Sequence, residues 1–145
     1  MVLVGDPVLA ADFDALTDKP YTPYTPTTSG ITLGTGGLIT GRYHDRGNHD
    51  VHVIIYIILG TGGVMASNPY FSLPFSAAAD QRFVDSAVYT IGGTRYLGHI
   101  LMSGLSALLV RVSPGSEAIV GITATTPATW ASGSIVNASF NYERA

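Results

Sequence analysis

The chain contains no cysteine, which excludes disulfide staples and thiol chemistry and leaves hydrophobic burial to hold the fold. Charge is scarce as well. Lysine occurs once, at Lys19, and glutamate twice, at Glu117 and Glu143. Charged residues are 12% of the 145 positions, about half the usual share of roughly 25%. With a formal net charge of −3 there is no basic footprint for nucleic acid. Long apolar runs are missing too. The longest, Val53–Leu59, falls far short of the roughly 20 residues a membrane helix needs. The opening "MVLVGDPVLA" lacks the basic n-region of a secretory signal, so the expectation is a soluble chain made without one.

What fills the sequence is glycine, serine, threonine, valine and isoleucine, a composition suited to strands and turns. The length predicts one domain. Residues 1–29 read as an arm. "PVLAADFDAL" allows a short helix with Phe13 and Leu16 on one side. "KPYTPYTPTTSG" follows, with Pro20, Pro23 and Pro26 enforcing an extended, polyproline-like path. Such a segment is either a surface linker or an arm reaching a neighbouring subunit. The pair Tyr21 and Tyr24, which a mere spacer does not need, favours the arm. From residue 30 to 145 short apolar runs alternate with turn chemistry such as "GGT", "MSG" and "SPGSE". Eight to nine strands without a helical period predict an all-β sandwich or barrel.

"LGTGG" occurs twice, at Leu33–Gly37 and Leu59–Gly63. A phosphate loop needs a helix behind it, whose amino end faces the anion. Here "GLITGRY" and "GVMASNPYF" follow, with no helical period and no P-loop lysine. Both copies are therefore expected to be turns or bulges, where glycine permits positive φ.

Catalytic signatures such as G-x-S-x-G or H-E-x-x-H do not occur, and the expectation is a non-enzymatic protein without a cofactor. The dense polar stretch "RYHDRGNHDVH" places His44, His49 and His52 together with Asp45 and Asp50. Imidazole and carboxylate suit a metal, but ligands must converge, and "DRGN" reads as a hairpin tip. A solvated hairpin is the expectation, with one histidine per subunit at a symmetry axis as the remaining route to an ion. Trp130, in "TTPATWASG", is expected to pack on one end of the domain.

The most informative strand is "VHVIIYIIL". Val51, Val53, Ile55, Ile57 and Leu59 can line the core, yet the opposite face carries Ile54, Tyr56 and Ile58 behind His52. Large apolar side chains on both faces predict that the outer one is covered, either by another part of the same chain or, as the preferred reading, by identical subunits near a symmetry axis.

The stretch "YTPTTSGITLGTGGLITGRYHDRGNHDVHVIIYIILGTGG", followed by "YFSLPF" and the closing "WASGSIVNASFNYERA", resembles a domain of bacteriophage virion proteins, especially from phages of actinobacteria. "GDPVLAADFDALTDKP" is similar to the opening of many phage tail and virion proteins. Such domains resemble the jelly roll of complement C1q and tumour necrosis factor, which assembles as trimers. The resemblance implies a trimeric jelly roll on the virion surface, with itself, the major capsid protein or other virion proteins as partners. Two roles follow. A capsid decoration protein would dock through Phe13, Leu16, Tyr21 and Tyr24. A minor tail or fibre-tip protein would bind a host surface receptor or glycan. The short arm, with no fibre shaft before the body, places decoration first.

Overall fold

The computed structural model describes residues 20–78, 84–103, 106–112 and 118–145. Among the described residues there is no helix, and ten strands form one curled antiparallel sheet of jelly-roll-like character. In chain order they are β1 (Thr22–Tyr24), β2 (Thr28–Thr32), β3 (Leu38–Gly47), β4 (Asp50–Ile58), β5 (Val64–Ser72), β6 (Val84–Ile91), β7 (Thr94–Ser103), β8 (Ser106–Val112), β9 (Ile119–Gly121) and β10 (Ile135–Glu143). Along the sheet the order is β1-β3-β4-β10-β6-β7-β8-β5-β2, with β9 attached to β8.

The all-β expectation is correct, and the strand beyond the eight to nine expected is β1, in the proline-rich segment read as an arm. β1 carries Pro23 at the edge of the sheet, where a missing N–H does no harm. β5 carries Pro69 opposite Gly30, where the β2–β5 register slips between Ser29 and Ile31. β1 and β2 also take up residues 22–24 and 28–29 of the expected arm, so its described part is woven into the sheet. Phe13 and Leu16 lie outside the described residues.

β4 and β10 run side by side for nine in-register pairs, from Ile135 opposite Ile58 to Glu143 opposite Asp50. Their alternation does what period two dictates. Val51, Val53, Ile55 and Ile57 from β4 meet Val136, Ala138, Phe140 and Tyr142 from β10 on the concave side, all at or below 4% exposure. Met65, Phe71, Tyr89, Ile100 and Leu109 complete that core from the remaining strands. Burial of each such side chain stabilises by about 1.5–3 kcal/mol.

The curl is closed by the segment joining its two ends. β1 lies at one end of the strand path and β2 at the other. Between them Pro26 is buried, Thr27 and Ser72 exchange hydrogen bonds, and the Tyr24 hydroxyl donates to the Ser72 carbonyl at 3.4 Å. Trp130 is buried over Tyr89 at 5.6 Å between centroids, with its indole N–H donating to the Thr126 carbonyl.

The two "LGTGG" copies are turns, as the missing helices implied, and they turn against each other. Gly37 N–H donates to the Gly34 carbonyl, and Gly63 N–H to the Gly60 carbonyl, closing two four-residue turns of the same type. Gly36 and Gly62 take the positive φ that such turns require, 76° and 74°. Thr35 and Thr61 then exchange both backbone hydrogen bonds, at 2.8 and 2.9 Å, and Gly60 N–H donates to the Leu33 carbonyl. A methyl group on Gly34, Gly37, Gly60 or Gly63 would strike the other copy's backbone or that of its own turn.

Candidate functional site: the outer face of the sheet

The convex side of β3, β4, β10, β6 and β7 carries the residues that the core does not use. Register puts them in rows. Leu38, Ile58, Ile135, Thr90 and Arg95 form the first row, at the end next to the paired turns. Thr40, Tyr56, Asn137, Val88 and Leu97 form the second. Arg42, Ile54 and Ser139 lie in the third, and His44, His52 and Asn141 in the fourth. The first two rows hold most of the apolar side chains and the last is polar.

Ile54, Tyr56 and Ile58 therefore lie on this outer face, each half-buried by its neighbours within the sheet. Leu38 is 49% exposed and Leu97 71% exposed, so the apolar band continues across the sheet from β3 to β7. Sequence reasoning found the β4 part because that strand is apolar at successive positions. It missed Leu38, Val88, Leu97 and Ile135, because the outer face of each of their strands is otherwise largely polar. Only the register joins them.

The polar end is organised by Tyr21. Its hydroxyl lies 2.6 Å from His52 Nδ1, and His52 Nε2 lies 2.9 Å from the Ser139 hydroxyl. The Tyr21 ring sits 5.5 Å from the His44 ring and carries the Arg42 guanidinium 5.3 Å above its centroid. Tyr21 is thus docked on its own chain. Tyr24, the residue after Pro23, falls on the opposite, concave side and packs on Tyr43 at 5.9 Å. Burial raises the Tyr24 phenol well above its ordinary value.

The histidine hairpin turns at Gly47, Asn48 and His49, all with positive φ. His44 and His52 are cross-strand partners on the outer face, while His49 faces the C-terminal segment and bonds the Arg144 carbonyl through Nδ1 at 3.1 Å. The three histidines do not converge. Among the described residues no group of three or more His, Cys, Asp or Glu side chains is arranged to hold a metal ion. Asp45 is held by Arg144 at 2.8 Å and Asp50 by Arg46 at 3.5 Å.

Two shallow grooves flank Ile54 and Asn137. One, of about 370 Å³, runs between β4, β10 and β6 past Ser86, Val88 and Ser139. The other, of about 450 Å³, is lined by Pro23, Thr40, Gly41, Arg42, Ile54, Tyr56 and Asn137. Among the described residues no helix is long and apolar enough to cross a membrane. In comparisons with protein-family models, curated proteins and solved structures, the chain matches none.

Proposed function

We propose that this protein is a non-enzymatic structural component of a phage virion, a homotrimer that decorates the capsid. The observation that carries the self-assembly is the apolar band on the outer face. Leu38, Tyr56, Ile58, Val88, Leu97 and Ile135 lie side by side across five strands, with Leu97 71% exposed. Single exposed apolar residues are ordinary, whereas a contiguous band on a rigid sheet marks a surface meant to be covered. A second and third copy of the same chain supply that cover with closed symmetry. The virion setting rests on the sequence resemblance, and the partners would then be the copies themselves and the major capsid protein.

Sedimentation velocity at micromolar concentration tests the assembly, with three times the chain mass expected. Ile58→Glu and Leu97→Glu place charge on the outer face without touching the core, so each is expected to give a folded monomer. A wild-type chain that stays monomeric overturns the reading. Density for the protein on the capsid in an electron-microscopy map of the particle tests its location. The tail-tip alternative is favoured by one observation, the groove beside Arg42, whose polar side chains make no hydrogen bond or ion pair among the described residues.

A further inference from the structure

Three of the four histidines, His44, His49 and His52, lie at the polar end of the sheet, outside the apolar band. Imidazole is the side chain that changes charge between pH 5 and 8. The fixed charges around them cancel. On the outer face stand Arg42 and Arg46 from β3, Asp50 from β4 and Glu143 from β10. Behind them Asp45 holds Arg144 at 2.8 Å, and Arg46 takes up Asp50 at 3.5 Å. Three arginines therefore face three acids. Each proton gained by a histidine is a net positive charge on this end of the molecule.

The hydrogen bonds allow those protons in. His52 meets the Tyr21 hydroxyl through Nδ1 and the Ser139 hydroxyl through Nε2, and both oxygens can accept. His49 Nδ1 donates to the Arg144 carbonyl, which leaves Nε2 for a second proton. Tyr21 thus stays docked in acid, and only the charge changes.

Connectivity puts the opposite charge beside this patch. Residues 1–19 carry Asp6, Asp12, Asp14, Asp18 and Lys19, a formal −3, while residues 20–145 hold as many cations as acids. Three residues of chain, at most about 11 Å, separate Asp18 from Tyr21. The Tyr21 ring lies 5.5 Å from the His44 ring and 5.7 Å from the His52 ring, under the Arg42 guanidinium. A tethered segment has a high effective concentration at such a patch, so weak charge attraction is enough to hold it.

We propose a pH-dependent latch: in acid, residues 1–19 lie against the Arg42–His44–His52 patch of their own chain, and they leave it as the histidines lose their protons. At neutral pH the segment is free for a partner and adds nothing to the fold. The latch needs neither the trimer nor the virion.

The chain has no cysteine, so Ala15→Cys gives a single site for a nitroxide spin label on the full chain. Broadening of the Arg42, His44 and His52 amide signals is expected at pH 5.5 in low salt, and its loss at pH 8. A mixture of spin-labelled ¹⁴N chains with unlabelled ¹⁵N chains should show none, because the contact lies within one chain. By linkage, the segment must also favour the protonated histidines. The triple variant Asp12→Asn, Asp14→Asn, Asp18→Asn changes no described residue and should lower the titration midpoints of His44 and His52. A shift of about 0.3 pH unit or more is expected, which one charge at roughly 10 Å gives in water. Equal broadening at both pH values, none at pH 5.5, broadening in the mixture, or unchanged midpoints in the triple variant would each overturn the latch. A chain that sediments as a monomer yet shows these effects would remove the trimer and leave the latch standing.

Discussion

Two glycines in strands show how this chain fits tyrosines into its core. Gly41 lies under the Tyr24 ring and Gly98 under the Tyr89 ring, each so close that an added methyl would collide with the aromatic atoms. Tyr89 is fully buried, and its hydroxyl lies 2.8 Å from the Val110 carbonyl and 3.2 Å from that of His99. The ring cannot retreat without giving up those acceptors. Gly98→Ala is therefore expected to cost about 1–3 kcal/mol, the range for overpacking. The cost should shrink when Tyr89 is also changed to Leu, and a double-mutant cycle in urea would read that coupling. The same buried phenols set the alkaline limit of the fold. Burial pushes Tyr142 up to about 12, tempered by the Phe75 N–H at 3.1 Å and by Arg144, and it raises Tyr24 and Tyr89 as well. In the unfolded chain all three ionise near 10. Their contribution is thus full below pH 10 and is lost as pH rises through the folded-state values. Urea melts from pH 8 to 12 should show stability level at first and falling above 10. A curve that stays level to pH 12 would contradict the burial argument.

At the scale of the element, the paired "LGTGG" turns separate two costs of replacing glycine. Gly36 has positive φ and open space, while Gly60 has ordinary φ and backbone from the other turn where its side chain would be. Gly36→Ala should cost about 1–2 kcal/mol through the left-handed conformation alone. Gly60→Ala must push the two turns apart and break the Thr35–Thr61 hydrogen bonds, so the larger loss is expected there. Thermal unfolding of the two variants decides it, and equal losses would mean the clasp is soft. That each copy is a turn was legible from the residues that follow it. That they grip one another was not, because turn chemistry is local and the contact joins positions 26 residues apart in the alternation of strands between Thr35 and Thr61. The same distinction runs through the fold. β4 announces its inner and outer faces in its own letters, and Ile54, Tyr56 and Ile58 sit where period two puts them. The groove needs Pro23, Arg42, Tyr56 and Asn137 from four strands, and only their register brings them together.

For the molecule as a whole, the decisive fact is where the ends of the described chain lie. β10, the last strand, is central, between β4 and β6, while β1 and β2 close the curl by joining the two ends of the strand path. The first 29 residues consequently divide in two. Residues 20–29 carry Tyr21 on the outer face, Tyr24 over Gly41 and the buried Pro26, and they belong to the body. Residues 1–19 hold Asp6, Asp12, Asp14, Asp18 and Lys19, a formal −3 that equals the net charge of the whole chain. Attachment to a capsid through an arm would therefore fall to residues 1–19, with Phe13 and Leu16 as its apolar contacts and three copies per trimer acting by multivalency. Removing residues 1–19 should leave the melting temperature and the number of chains in the assembly unchanged while abolishing binding to particles that lack the protein. Removing residues 1–29 should instead lower the melting temperature by several degrees, since it strips the cover from Gly41 and the link to Ser72. Both truncations can be followed by thermal scanning, sedimentation and co-sedimentation with empty capsids. A chain cut at residue 19 that still decorates capsids would place the attachment on the folded body and sink the arm.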